Sequence, residues 1–203
     1  MDRRPWRMSI LDHVLALDSW VTSDQHWEHP RIREYQHRPE DHFELMLFQW
    51  LARVQRNDVL LHLGDLVCFG KKENHVYWAV GLPGRKYILL GNHDKHPDSW
   101  YKAAGFTVLG RKPIHWTSPD GQVVVFSHRP VRDPEGWDIN VHGHVHGSAY
   151  YADTVRISDR RNVCVEVTDY SPVRLGDVLS SKSRSPALRE GSHSSGAFVF
   201  EED

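Results

Sequence analysis

Short apolar runs, and one longer segment with apolar residues on a single face, set the pattern of this chain. Residues 20–23 (WVTS) read as a short strand running into a polar turn. Over residues 39–54, Phe43, Met46, Leu47, Trp50, Leu51 and Val54 recur at the spacing of one helical face. Residues 59–63 (VLLHL) form a brief apolar run closed by Gly64, short enough for a buried strand. A weaker helical pattern covers residues 73–80, and GLPG at 81–84 breaks the chain. Residues 87–90 (YILL) predict another buried strand, 98–104 a short helix, and 106–109 (FTVL) a further apolar segment. Residues 114–116 and 123–126, joined by Ser118-Pro119-Asp120-Gly121, predict a hairpin. Strands are expected again at 139–142 and 163–167. Helices alternate with strands early and strands dominate later, so the fold is α/β with one mixed sheet or two packed sheets.

The chain of 203 residues fits one domain. We divide it into an N-terminal extension or short helix at 1–17, a folded domain at 18–179, and a Ser-, Arg- and Gly-rich tail at 180–203 that composition marks as disordered. With 39% hydrophobic and 26% charged residues it reads as a globular protein. A formal net charge of -2 provides no global basic field to draw it to nucleic acid or a membrane surface. The start, MDRRPWRMSILDHVLAL, is interrupted by Asp12 and His13 and lacks a small-residue cleavage site, so no signal peptide is expected. Only Cys68 and Cys164 are present, which argues against a disulfide scaffold and for reduced thiols in a cytoplasmic protein with no membrane span.

The chain holds 15 histidines, and their positions matter more than their number. After 20–23 come Asp24, His26 and His29. Gly64 and Asp65 follow 59–63, and Gly91, Asn92, His93 and Asp94 follow 87–90. His128 and Arg129 follow 123–127, and His142, Gly143, His144 and His146 end the run at 139–142. Ligand sites of open α/β sheets gather beyond the carboxyl ends of strands. Carboxylate, amide oxygen and imidazole together suit divalent Mn, Fe, Ni or Zn better than calcium, and the absence of thiolate disfavours a structural Cys-type zinc site.

The ordered series Asp24-Gln25-His26, Gly64-Asp65, Gly91-Asn92-His93-Asp94, His128 and Gly143-His144-Val145-His146 resembles the D-x-H, G-D, G-N-H-[DE], H and G-H-x-H pattern of the calcineurin-like metallophosphoesterase superfamily. The resemblance spans residues 20–170. The segments TSDQHWEHP, HLGDL, GRKYILLGNHD, SHRP and VHGHVHG are similar to a compact group of small bacterial and phage phosphoesterases. One departure is that Leu66, Val67 and Cys68 follow Gly64-Asp65, without the further acid of the common G-D-x-x-D form.

The resemblance implies two packed mixed β-sheets flanked by helices in a four-layer sandwich, and a site for two divalent ions, with manganese first and Fe, Zn or Ni as alternatives. Asp24, His26, Asp65 and His146 would hold one ion. Asp65, Asn92, His128 and His144 would hold the other, with Asp65 bridging. His93 would sit by the leaving group, its tautomer fixed by Asp94. A bridging carboxylate offsets repulsion between cations roughly 3.5–4 Å apart, and metal lowers the pKa of water to about 7, so that hydroxide attacks phosphorus in line. His29 stands either as a phosphate contact or as a cap of the next helix, and Arg129 as a phosphate contact or a solvated loop charge. His62 and His142 stand as partners of metal ligands or as strand histidines satisfied by backbone. Arg111 and the remaining basic residues read as surface charge, and the two cysteines as packing residues.

The expected function is hydrolysis of phosphodiester or phosphomonoester bonds of nucleotide or nucleic-acid type, in an open site. The alternatives are a non-catalytic metal-binding scaffold of the same fold and a nucleic-acid processing nuclease.

Overall fold

A computed structural model describes residues 9–68, 79–132, 136–147 and 159–181 of the chain. Most of the helix expected at 73–80, Trp78, and the tail beyond Ser181 lie outside these residues. Helix α1 (Leu11–Val14) leads into β1 (Trp20–Thr22), α2 (Ile32–Gln36), α3 (His42–Arg53), β2 (Val59–His62) and β3 (Arg85–Leu89). Next come α4 (Asp98–Ala103), β4 (Phe106–Gly110), β5 (Ile114–Thr117), β6 (Val123–Ser127) and β7 (Ile139–His142). The chain continues with β8 (Arg160–Asn162), a 3-10 turn (Val165–Val167), β9 (Val173–Arg174) and α5 (Leu175–Ser180).

The strands form two sheets, ordered β4-β3-β2-β1-β9 and β5-β6-β7-β8. Among the described residues only the β1–β9 and β5–β6 pairs are antiparallel. Both sheets are therefore mixed, as expected. The parallel strands β1, β2 and β3 end on one edge of the first sheet, and β6, β7 and β8 end on one edge of the second.

Period-2 alternation separates the faces. Val21 and Leu61 from the first sheet meet Val124, Phe126 and Val141 from the second in the central core, which Leu11, Leu15, Leu175 and Val178 close at the side. Residues before 18 thus carry part of the core, because α1 folds Leu11 inward with no exposed surface. On the outer face of the first sheet, Leu60 and Trp20 pack with Trp50 and Val54 of α3. Ile88 and Phe106 pack there with Met46, Trp100 and Tyr101. Among the described residues the outer face of the second sheet is covered by Trp137 and Val131 over Val123 and Val125. No helix among the described residues is long and apolar enough to cross a membrane.

Two expectations need correction. Leu51 was expected on the buried stripe of α3, yet it is 51% exposed, while Met46 and Trp50 make the buried contact. The stripe is narrower than the run of apolar residues. The strand expected at 163–167 is a 3-10 turn at Val165–Val167, and the paired strand lies earlier, at Arg160–Asn162. Only Cys164 keeps a bridge, to Ser23.

Candidate metal centre

Packing Val21 and Leu61 against Val124 and Val141 brings the two carboxyl edges together. The join is fixed by hydrogen bonds across the sheets. The His144 N–H donates to Asp24 Oδ2 at 2.9 Å, and the Cys164 thiol donates to the same oxygen at 3.3 Å. The loops after β1 and β2 run side by side, with Asp24 N–H on the Gly64 carbonyl and His26 N–H on the Asp65 carbonyl, both at 3.0 Å. Glycine is required where these loops touch. A Cβ on Gly143 would overlap the Ser23 hydroxyl and the Asp24 carboxylate, and one on Gly91 would overlap Asp65 Oδ1.

Two clusters of metal-competent side chains result: Asp24, His26 and His146, and Asp65, His128 and His144. Within each, one ligand atom per residue lies within 4.8 Å of the others. His26 Nε2 and His146 Nε2 each stand 3.8 Å from Asp24 Oδ1. Asp65 Oδ2 lies between the clusters, 3.5 Å from His26 Nε2 and 3.3 Å from His128 Nε2. Asn92 Oδ1 joins the second cluster at 2.9 Å from His128 Nε2. The seven residues expected as ligands are thus gathered in one place.

Each carboxylate divides its oxygens between scaffold and site. Asp24 Oδ2 accepts from Ser23, His144 and Cys164, whereas its Oδ1 is buried with no hydrogen-bond partner. Asp65 Oδ1 accepts the His93 N–H at 2.9 Å, and its Oδ2 faces the imidazoles. Both ring nitrogens of His26 are also buried and unpartnered. Orphaned buried acceptors of this kind cost free energy that a bound cation would relieve. The donor set of carboxylate, imidazole and amide fits a divalent ion, so the site passes the test set by its own chemistry.

Backbone strain concentrates in the same place. Asp24, His26, Asp65, His144 and His146 have φ of 63, 49, 55, 71 and 48°. Non-glycine residues in this left-handed region cost roughly 1–3 kcal/mol each and cluster at functional sites.

Electrostatics follow the geometry. Burial would raise the carboxyl of Asp24, but contact with His26 and the charges of His128 and His146 hold it well below the carboxylate range. Asp65 behaves likewise: burial raises it, and His128 and His26 bring it down to about 2. Burial would lower His128, but Asp65 and Asp24 lift it to about 9. His144 is lowered to about 4, first by burial and then by His128 and Arg129.

Asp94 does not orient His93. Its carboxylate is fully buried and accepts N–H groups from Asp65 at 2.7 Å, Leu66 at 3.1 Å and Gly91 at 2.8 Å, with the Tyr101 hydroxyl at 3.3 Å. It clasps the loop after β2 to the loop after β3. The neighbour of His93 Nδ1 is Cys68 Sγ, at 3.5 Å. The thiol is pushed up to about 12 by burial and by Asp65 and Asp94, so it keeps its proton beside Nδ1. Cys68 stands where the common G-D-x-x-D form has its second acid.

The other residues singled out in the sequence divide. The His29 Nδ1 accepts the Arg31 N–H at 3.1 Å, a local cap before α2, and its ring lies 5.8 Å from that of His26. Arg129 is exposed beside His144. The Gly64 N–H donates to His62 Nδ1 at 3.0 Å, which leaves Nε2–H for Gln25 Oε1. His142 Nδ1–H donates to the Gly143 carbonyl at 2.9 Å. Arg111, expected as surface charge, instead binds the carbonyls of Gly91 and Asp94.

Sequence reasoning missed Arg38 and Glu166. Glu166 was legible as the lone carboxylate inside an apolar run, whereas Arg38 lies in a polar stretch that marks it in no way. Both are buried, and Glu166 Oε1 receives Arg38 Nε at 2.8 Å and His146 Nδ1 at 2.9 Å.

A cation-competent pair of clusters at the joined edges of two mixed sheets defines the class. The family model of calcineurin-like phosphoesterases matches residues 19–174, and the chain belongs to that family. The uncharacterized protein MJ1445 of Methanocaldococcus jannaschii is 26% identical over 178 residues, 84% of this chain and 94% of the relative. The gene 66 protein of Mycobacterium phage D29 is 35% identical over 82 residues, 38% of this chain and 41% of the phage protein. The crystal structure of AQ665, a protein of unknown function from Aquifex aeolicus, superposes with a TM-score of 0.62 at 26% identity, covering 76% of this chain and 94% of that one.

Proposed function

We propose that this protein is a two-metal phosphoesterase acting on phosphodiester or phosphomonoester bonds of nucleotide or nucleic-acid type. The observation that carries the reading is Asp65 Oδ2, held between His26 and His128 at 3.5 and 3.3 Å, as a carboxylate bridging two ions must be. Asp24, His26, Asp65 and His146 would hold one ion, and Asp65, Asn92, His128 and His144 the other. Manganese is the favoured metal, as the family resemblance implies, and the mixed oxygen and imidazole donors also suit Fe, Zn or Ni. When bound, such a pair supplies Lewis acidity toward phosphoryl oxygens and hydroxide near neutral pH.

The remaining steps fall to the protein. His93 is exposed, and a Cys68 thiol donating to Nδ1 would leave its Nε2–H for the substrate. That N–H would donate a hydrogen bond to the leaving oxygen and stabilise the charge that develops there as the ester bond breaks. Arg129 and His29, beside the two clusters, contact phosphate. The buried free thiols Cys68 and Cys164 support a reducing, cytoplasmic setting.

The test is a screen of metal-stripped, manganese-reconstituted protein against aryl phosphomonoesters and diesters, linear and cyclic nucleotides, DNA and RNA. Metal-dependent turnover of at least one class is expected. Two bound ions with no turnover on any phosphate ester would overturn the catalytic reading and leave a metal-binding scaffold.

A further inference from the structure

The two clusters are built differently behind their ligands. One guanidinium reaches everything in the Asp24–His26–His146 cluster. Arg38 Nη2 donates to the Asp24 carbonyl and Nη1 to the Gln25 carbonyl, both at 2.6 Å, so it grips the turn that carries Asp24 and His26. Through Nε it holds Glu166, whose Oε1 accepts the Nδ1–H of His146. That bond leaves the Nε2 lone pair of His146 facing Asp24 Oδ1, and a carboxylate partner makes an imidazole a stronger donor to metal. The Arg38 side chain has no exposed surface and that of Glu166 is 7% exposed, so water does not dilute the chain of contacts. The turns being held are strained, since Asp24, His26 and His146 all have positive φ, as Asp65 and His144 do in the other cluster.

Behind the Asp65–His128–His144 cluster the charged groups hold main chain: Asp94 accepts the Asp65 N–H at 2.7 Å, and Arg111 grips the Gly91 and Asp94 carbonyls. His128 Nδ1 donates to a neutral carbonyl, that of Leu63, at 2.9 Å. Its ligand atoms also satisfy one another, with His128 Nε2 at 2.9 Å from Asn92 Oδ1 and 3.3 Å from Asp65 Oδ2. A cation entering here displaces contacts already made. A cation entering the other cluster meets Asp24 Oδ1 and His26 Nε2, which have no hydrogen bond to lose.

We propose that the two cation positions are unequal, and that Arg38 and Glu166 act as positioning residues that make the Asp24–His26–His146 position the tighter and first filled. The inference rests on the metal-centre reading above but concerns residues that reading leaves unused.

The test is calorimetric titration of metal-stripped, full-length protein with manganese, with bound metal counted per chain by elemental analysis. Wild type is expected to load in two resolved steps. Glu166→Leu is expected to weaken the tighter step roughly 10- to 100-fold and leave the weaker one in place. His144→Ala is expected to do the reverse. Glu166→Gln, which preserves volume and an acceptor, serves if the leucine variant does not fold, and is expected to weaken the tighter step by a smaller factor. Long-range ¹H–¹⁵N correlation in the metal-free protein should find His146 protonated on Nδ1 in wild type and no longer held so in Glu166→Leu, a change that general loosening of the fold would not single out. Two equal steps in wild type, or an unchanged tight step in both Glu166 variants, would overturn the proposal while leaving the metal centre standing. A wild-type protein that takes up no divalent ion would sink the metal centre itself.

Discussion

The two sheets contribute unlike chemistry to one site. The five-stranded sheet delivers both carboxylates and the amide, through Asp24, Asp65 and Asn92, along with the imidazole of His26. The four-stranded sheet delivers imidazoles alone, through His128, His144 and His146. Their anchoring differs less cleanly. The loops of the first sheet are tied by charged groups: Asp94 under three N–H donors, Arg111 on two carbonyls and Arg38 on two more. The second sheet mixes neutral ties, such as Asn140, whose amide donates to Val125 and Ser127 and accepts from Val131, with charged ones, Glu166 behind His146 and Arg160 on the Val131 carbonyl. Negative charge needs a rigid mount if it is to gather cations without collapsing onto the nearest donor. Imidazoles bind metal only in their neutral form, and they select among metals by donor type rather than by charge.

The division can be broken at its most charged point. Asp65→Ala removes the oxygen shared by both clusters, and we expect it to abolish metal loading and turnover together, read by elemental analysis and by hydrolysis of an aryl diester. His93→Ala should retain both ions and slow hydrolysis of a substrate with a poor leaving group by about 10²-fold or more. Full activity on such a substrate would remove His93 from the chemistry. Asp94→Ala strips the acceptor from three buried N–H groups, and we expect a stability loss of about 3 kcal/mol in urea melts. A variant that melts like wild type but turns over slowly would instead restore Asp94 as the partner of His93.

The smallest effect is one of pH, and it separates the imidazoles. His128, lifted to about 9, must lose a proton before its Nε2 can bind metal, so manganese affinity should rise by up to about tenfold per pH unit and level off above pH 9. His144, at about 4, is already neutral and adds no such slope near pH 7. In the metal-free protein the sign is opposite. The raised pKa of His128 contributes stability that is full below its ordinary value of 6.5 and is lost as pH rises through about 9. A flat affinity between pH 7 and 9 would contradict the Asp65–His128 contact.

The ligand stretches were legible because each directly follows an apolar run, and parallel pairing sends such ends to one edge. What lay deeper was less so. Asp94 is adjacent to His93 in sequence, but adjacency does not reveal that its oxygens are filled by Asp65, Leu66 and Gly91. Residues 163–167 are as apolar as any strand, yet the chain must turn there to bring Glu166 under His146, and the pairing falls to Arg160–Asn162, whose polar side chains hide it. Arg160 is carried inward by its bond to the Val131 carbonyl, a contact no local pattern announces. Leu51 failed for a simpler reason, since Met46 and Trp50 fill the surface that α3 presents to the sheet.

The left-handed backbone at Asp24, His26, Asp65, His144 and His146 also limits how this centre can be retuned. Changing its metal preference by exchanging side chains at those positions is open to asparagine or glycine, which accept that conformation readily. Valine, isoleucine and threonine are shut out by their branched Cβ before any question of coordination arises. Variants that alter the metal should therefore come from Asn92, His128 and the residues behind the ligands, where the main chain sets no such filter.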